Sequence, residues 1–244
     1  MKVMKDQIEN KYMKAIQFVC ECGNIINDTN AIDGFHKNVL LDLLFRIKRN
    51  CNSLMKLSNL EDDYLAIRLL QRSIIGDLIT VFFFVSLLDD SAKFIEAVEI
   101  LDNLSEKSIK EWLKIHWVID KTNANNRGED YVSEEEYLES FNSYVQQYHI
   151  GSSNKQFNAS KSTSLNFSGT LSSMKSCTEK QELGKPIKYL YTEYRFLSQI
   201  EHYSPLNRGF SYVSSKDETI KIHSEVIEYC LGCMLGEIKN RFNK

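Results

Sequence analysis

A chain of 244 residues, 43% hydrophobic and 26% charged, has the composition of a soluble globular protein able to bury a core. Two prolines and ten glycines are too few for the many turns of a sandwich or barrel, and suit long helices. A formal net charge of −3 excludes the broad basic field of a duplex-DNA binder and leaves room only for a local basic patch.

The first residues hold no apolar run of the kind that heads a secretory leader, so a cytoplasmic location is expected. On that reading the six cysteines are reduced thiols. Residues 2–27 predict a first helix, with Met4, Ile8, Tyr12, Ile16, Val19 and Cys20 along one side. Residues 30–34 read as a loop. Residues 38–57 predict a second helix, striped by Leu40, Leu41, Leu44, Ile47, Cys51, Leu54 and Met55. Asn59, followed by Glu61, Asp62 and Asp63, marks the start of a third helix over 61–88, because a polar cap and early carboxylates complement the positive helix end.

That third helix is apolar on nearly all sides, so other helices should surround it. Its most apolar run, 73–88, is shorter than the ~20 residues a bilayer span needs and contains Asp77, so no membrane segment is expected. Its polar residues fall on two faces, Arg68 with Arg72 and Ser73 with Asp77 and Thr80. Gly76 in mid-helix, ~1 kcal/mol worse than alanine, points to the close approach of a neighbour.

Ser91 predicts the cap of a helix reaching 104, and Ser105 the cap of another reaching 120, with a polar loop over 122–130. Ser133-Glu134-Glu135-Glu136 is a capping box for a helix reaching 148. Residues 149–186 are serine-rich and aperiodic, yet carry Phe157, Leu165, Phe167, Leu171 and Met174. They predict a long covering loop with one short helix near 171–177. Residues 187–203 predict a helix stopped by Pro205, and 217–242 a last helix in which Gly232 and Gly236 mark tight packing. The sum is one all-α domain, a bundle of about eight helices. N-terminal helices occupy 1–148, a serine-rich covering segment 149–186 and C-terminal helices 187–244.

The chemistry gathers on the 187–203 helix. Leu190, Phe196, Leu197, Ile200 and Tyr203 read as its apolar side, and Tyr191, Tyr194, Arg195, Ser198 and His202 as a stacked polar row. Asp77, a carboxylate in an apolar helix, needs a partner, which His202, Tyr194 or an arginine could supply. The candidate pocket is therefore Arg72, Asp77, Tyr194, Ser198 and His202. It reads as a structural polar cluster, as a face that meets water, or as a Ser198–His202–Asp77 relay. The last lacks a nucleophile elbow and an evident oxyanion hole. Cys20 and Cys22 with Cys230 and Cys233 could supply four thiolates, but neither pair has the turn that zinc ribbons use. Buried inert thiols are the simpler account, and no metal or other cofactor is expected. Lys48, Arg49, Lys56, Arg68 and Arg72 form either a modest anion-binding patch or a solvated face.

From about residue 38 to 204 the layout resembles an uncharacterised, mostly bacterial, all-helical family. Its members carry Arg-Ser-x-x-Glu-Asp in a long apolar helix, then an aromatic-x-Gly segment, then Tyr-x3-Ser-x3-His. The matching residues here are Arg72-Ser73-Ile74-Ile75-Gly76-Asp77, with Gly76 in place of glutamate, then Phe167-Ser168-Gly169, then Tyr194, Ser198 and His202. That resemblance implies a helical fold and a polar cluster, and no established reaction. Arg195 and His202 also resemble the Arg-x4-6-His signature of the HEPN superfamily, whose active members are metal-independent ribonucleases of toxins and antiviral systems. Phe196 stands where those proteins usually have a polar residue.

The HEPN resemblance implies an endoribonuclease acting on RNA. Arg195 would hold the scissile phosphate, and His202 would move protons between the ribose 2′-hydroxyl and the leaving oxygen. Seven residues are about two turns, ~10 Å along the axis, so one helix does not bring both groups to one phosphate; a homodimer with the two helices antiparallel would. A protein partner such as an antitoxin would accompany that role. The other expectation is a non-enzymatic helical protein that binds a partner or ligand at the pocket.

Overall fold

The computed structural model describes residues 2–57, 64–140, 167–178, 184–201 and 216–242. These are helices and short connections, with no strand among the described residues. In chain order they are α1 (Lys2–Asp28), α2 (Gly34–Lys56), α3 (Tyr64–Ser86), α4 (Ser91–Asn126), α5 (134–140), α6 (Phe167–Thr178), α7 (Gly184–Glu201) and α8 (Lys216–Phe242). The chain is an all-α bundle, as expected. It divides into two compact units, Met1–Phe94 with Ser168–Lys244 and Ile95–Phe167.

In the first unit α3 lies at the centre, packed by α2, α7 and α8, while α1 packs on α2 and α8. The sequence dictates this, because α3 has too many apolar residues for one face: Ile67, Ile74, Ile75, Leu78, Ile79, Val81, Phe82, Phe84 and Val85 are all buried. Each such side chain removed from water contributes about 1.5–3 kcal/mol. By length and composition alone α3 could cross a bilayer, but 67% of that apolar window is covered by the rest of the chain. The surrounding helices each offer one stripe at helical spacing, such as Ile8, Tyr12, Ala15, Val19, Cys22 and Ile26 on α1. Lys11 meets Glu228, and further along Lys239 meets Glu21, so α1 and α8 run parallel.

Several boundaries differ from expectation; α6 and α7 begin at Phe167 and Gly184, three or four residues early. α2 starts at Gly34, inside the predicted loop, because Asp33 caps it: its carboxylate accepts a hydrogen bond from the His36 amide at 3.0 Å. α4 is one helix where two were expected. It contains no glycine or proline, so nothing breaks it at Ser105, and Asp90 rather than Ser91 accepts from the Lys93 amide at 3.2 Å. α4 also runs into the predicted 122–130 loop and stops only before Gly128, whose φ of 72° reverses the chain. The cap of α3 at Asn59 and the serine-rich stretch up to 166 lie outside the described residues. Leu171 and Met174 of α6 are buried, as the short helix predicted there requires.

In the second unit the Ser133 capping box forms. The Ser133 hydroxyl accepts from the Glu136 amide at 3.2 Å, and the Ser133 amide donates to Glu136 Oε2 at 3.0 Å. Trp117 Nε1 donates to the Val132 carbonyl at 2.9 Å, and Lys114 pairs with Glu134 at 2.9 Å, so α4 is fastened to the start of α5. Trp112 is exposed together with Ile115, Val118 and Ile119.

Candidate functional site

α7 is placed by Ile187, Leu190, Tyr194 and Leu197, buried at intervals of three, four and three residues. This corrects the expected division of its faces. Tyr194, assigned to the polar row, is 2% exposed and belongs to the buried stripe, whereas Phe196, assigned to the apolar side, is 39% exposed. A tyrosine ring has enough apolar surface to fill a core position when its hydroxyl finds a partner.

That partner is Arg72 of α3. Its Nη2 donates to the Tyr194 hydroxyl at 3.3 Å, its Nε donates to Ser198 Oγ at 3.1 Å, and its guanidinium lies 5.1 Å from the centre of the Tyr194 ring. Ser198 also donates to the Tyr194 carbonyl at 2.7 Å. The neighbour foreseen from Gly76 is the same tyrosine: a Cβ at that position would stand 3.6 Å from its ring. The two motif segments, 126 residues apart at Arg72 and Ser198, thus meet in space. α3 and α7 run antiparallel there, since Tyr194 meets Gly76 while Ser198 meets Arg72.

The remaining predicted residues separate from this cluster. Asp77 pairs with Arg46 of α2 at 3.0 Å, not with Tyr194 or Ser198. Its other oxygen, Oδ2, is buried with no hydrogen-bond partner. Burial, only partly offset by Arg46, pushes the Asp77 carboxyl up to about 6. Ser73 accepts from Asn50 Nδ2 at 3.1 Å, and Thr80 donates back to the Gly76 carbonyl at 3.0 Å. The imagined relay through Ser198 and Asp77 therefore has both ends engaged elsewhere. Arg195, next to Tyr194 but about 100° further round the helix, is exposed and joins none of these groups. His202 lies outside the described residues.

Sequence reasoning missed several polar groups in the same unit. Gln71 donates to the Tyr12 hydroxyl at 2.7 Å and to the Ile220 carbonyl at 3.0 Å. His223, 1% exposed, brings Nδ1 within 2.7 Å of Glu193 Oε2; the approach is that of an ion pair, but poorly aligned for a hydrogen bond. The spacing of Ile220, His223 and Ile227 at i, i+3 and i+7 could have placed that histidine in the buried stripe. The partnership of Arg46 with Asp77 leaves no local signal, since it joins two helices.

Cys22, Cys51 and Cys230 are buried thiols that burial pushes up to about 12, far from thiolate chemistry at neutral pH. Among the described residues no three histidine, cysteine or carboxylate side chains stand close enough to hold a metal ion. An open groove of about 340 Å³ between α1 and α8, lined by Gln7, Asn10, Lys11, Lys221 and Glu225, includes none of the predicted site residues. No protein-family model, curated protein or solved structure matches this chain.

Proposed function

We propose that the chain is a HEPN-like, metal-independent endoribonuclease of a toxin or antiviral defence system, acting on RNA as a homodimer with α7 as its active helix. The observation that supports this reading is the exposure of Arg195 on a helix held at its neighbours, with Tyr194 and Ser198 tied to Arg72. An arginine presented outward from a fixed backbone suits a phosphate brought from outside the chain. His202, seven residues on, is the group for proton transfer between the ribose 2′-hydroxyl and the leaving oxygen. Seven residues at helical spacing would be ~10 Å, too far for one phosphate, so this reading calls for a second copy that contributes the opposite member of each pair. Expression of the intact chain should slow cell growth and degrade RNA, and Arg195→Ala or His202→Ala should relieve both. Growth arrest indifferent to these changes, or intact RNA after incubation with the purified protein, would overturn the proposal.

A second reading is a non-enzymatic helical protein that binds a partner or ligand. It is favoured by the Arg72–Tyr194–Ser198 cluster, in which the hydroxyls and guanidinium already satisfy one another. Under that reading Arg72→Met lowers stability, while Arg195→Ala and His202→Ala change neither growth nor RNA.

A further inference from the structure

Arg68 lies one turn before Arg72 and is treated quite differently. It is 5% exposed. Its Nη1 donates to the Tyr64 hydroxyl, and its guanidinium lies 5.0 Å from the Tyr64 ring centre and 5.2 Å from that of Phe196. Nε and Nη2 are buried with no hydrogen-bond partner. These two nitrogens form one edge of the guanidinium, with parallel N–H bonds at the spacing of two oxygens on one carboxylate or phosphate group. A buried cation without a counter-charge is strongly disfavoured, and burial accordingly draws the Arg68 guanidinium below the usual arginine range.

A second buried group lies beside the same ring. The His223 ring is centred 5.7 Å from that of Phe196, and its Nε2 has no partner. Glu193 Oε2 stands 2.7 Å from Nδ1, without hydrogen-bond alignment. Gln71, one turn on from Arg68, is bonded to the carbonyl of Ile220, one turn before His223. The faces of α3 and α8 that bear Arg68 and His223 are thus fastened together, with Phe196 of α7 touching both.

We infer that Arg68 and His223 form a receptor for a small two-oxygen anion, a phosphate group or a carboxylate, at the α3–α7–α8 junction. The paired edge of Arg68 takes two oxygens, and the His223 Nε2 meets the ligand from the α8 side. Phe196, half-exposed, is the ring past which the anion exchanges with solvent. This site is separate from Arg195 and does not depend on ribonuclease activity.

The test is thermal unfolding of the intact protein in titrations of inorganic phosphate and, separately, of acetate, each at ionic strength held constant with chloride. An anion bound only by the native state raises the midpoint in proportion to the logarithm of its concentration once its dissociation constant is exceeded. One of the two anions should do this, and which one identifies the headgroup. Arg68→Lys keeps a cation and its stem but loses the two-donor edge, so the response should move to at least tenfold higher concentration. His223→Gln should weaken it as well. No response to either anion beyond that of chloride would overturn the inference and leave the edge to water. An Arg68→Lys response equal to that of the unaltered protein would overturn it too.

Discussion

Replacing Asp77 by asparagine should stabilise this protein at neutral pH, although it removes a member of an ion pair. The carboxyl is raised from 3.8 to about 6, first by burial, against the opposing charge of Arg46. A raised carboxylate is more easily protonated in the folded than in the unfolded chain. Its effect is therefore least unfavourable below 3.8, and stability falls as pH climbs from there to about 6. At about 1.36 kcal/mol per pH unit the full difference is about 3 kcal/mol. The attraction of Arg46 is already contained in that difference, because it is what draws the carboxyl back down toward about 6. The amide that replaces Oδ2 meets the same lack of a partner, which takes back about 1 kcal/mol. A net gain of about 1–2 kcal/mol at pH 7 remains, shrinking to nothing or a slight loss near pH 4. Urea unfolding of both proteins across that range reads the difference directly. A variant less stable than the parent at neutral pH, or one that keeps the parent's decline between about pH 4 and 6, would refute the claim that burial dominates at Asp77.

Other substitutions probe the packing around the site. Arg72→Met keeps the stem but drops the bonds to Tyr194 and Ser198, and should cost about 2–4 kcal/mol in urea unfolding, against about 1 kcal/mol for Ser198→Ala. Glu228 behaves oppositely to Asp77. Burial would raise it, but the hydrogen bonds from Lys11 and Lys14 prevail and hold it below its ordinary 4.5, so it stabilises the fold above that pH and the contribution is lost as pH falls. Glu228→Gln should therefore destabilise by about 1–3 kcal/mol at pH 7, with the deficit closing in acid. At Gly236 an added Cβ meets nothing within 4 Å, so the tight packing expected there is absent. Gly236→Ala should raise the unfolding free energy by about 0.5–1 kcal/mol through helix propensity alone; a loss would show a contact made only through the bare backbone.

What the sequence made legible was local periodicity and local capping. α1 and α2 announce themselves by stripes of apolar residues, α3 by being apolar on nearly all sides, and the Ser133 box by side chains that answer each other three positions apart. Ser105 misled because a serine before a glutamate looks like a cap whether or not the preceding turn is already helical; only a glycine or proline would have enforced a break. The α7 row misled because tyrosine counts as polar in a list of side chains yet fills a core position in space. Arg72, Tyr194 and Ser198 are three of the five residues grouped as a candidate pocket, and the fold brings their motif segments into contact. An arginine was among the partners expected for Asp77, but which of the alternatives it meets depends on which helix covers that side of α3, and no spacing along the chain records it.

The parallel pairing of α1 with α8 also has a consequence for biosynthesis. The first helix leaves the ribosome tens of seconds before the last one exists, at about 5–20 residues per second. Throughout that interval the side of α1 that carries Phe18, against which Gly232 will come to rest, has no native cover. The nascent chain must hold a half-built bundle open for its closing member, and chaperones that recognise bare apolar surface have their longest opportunity on α1.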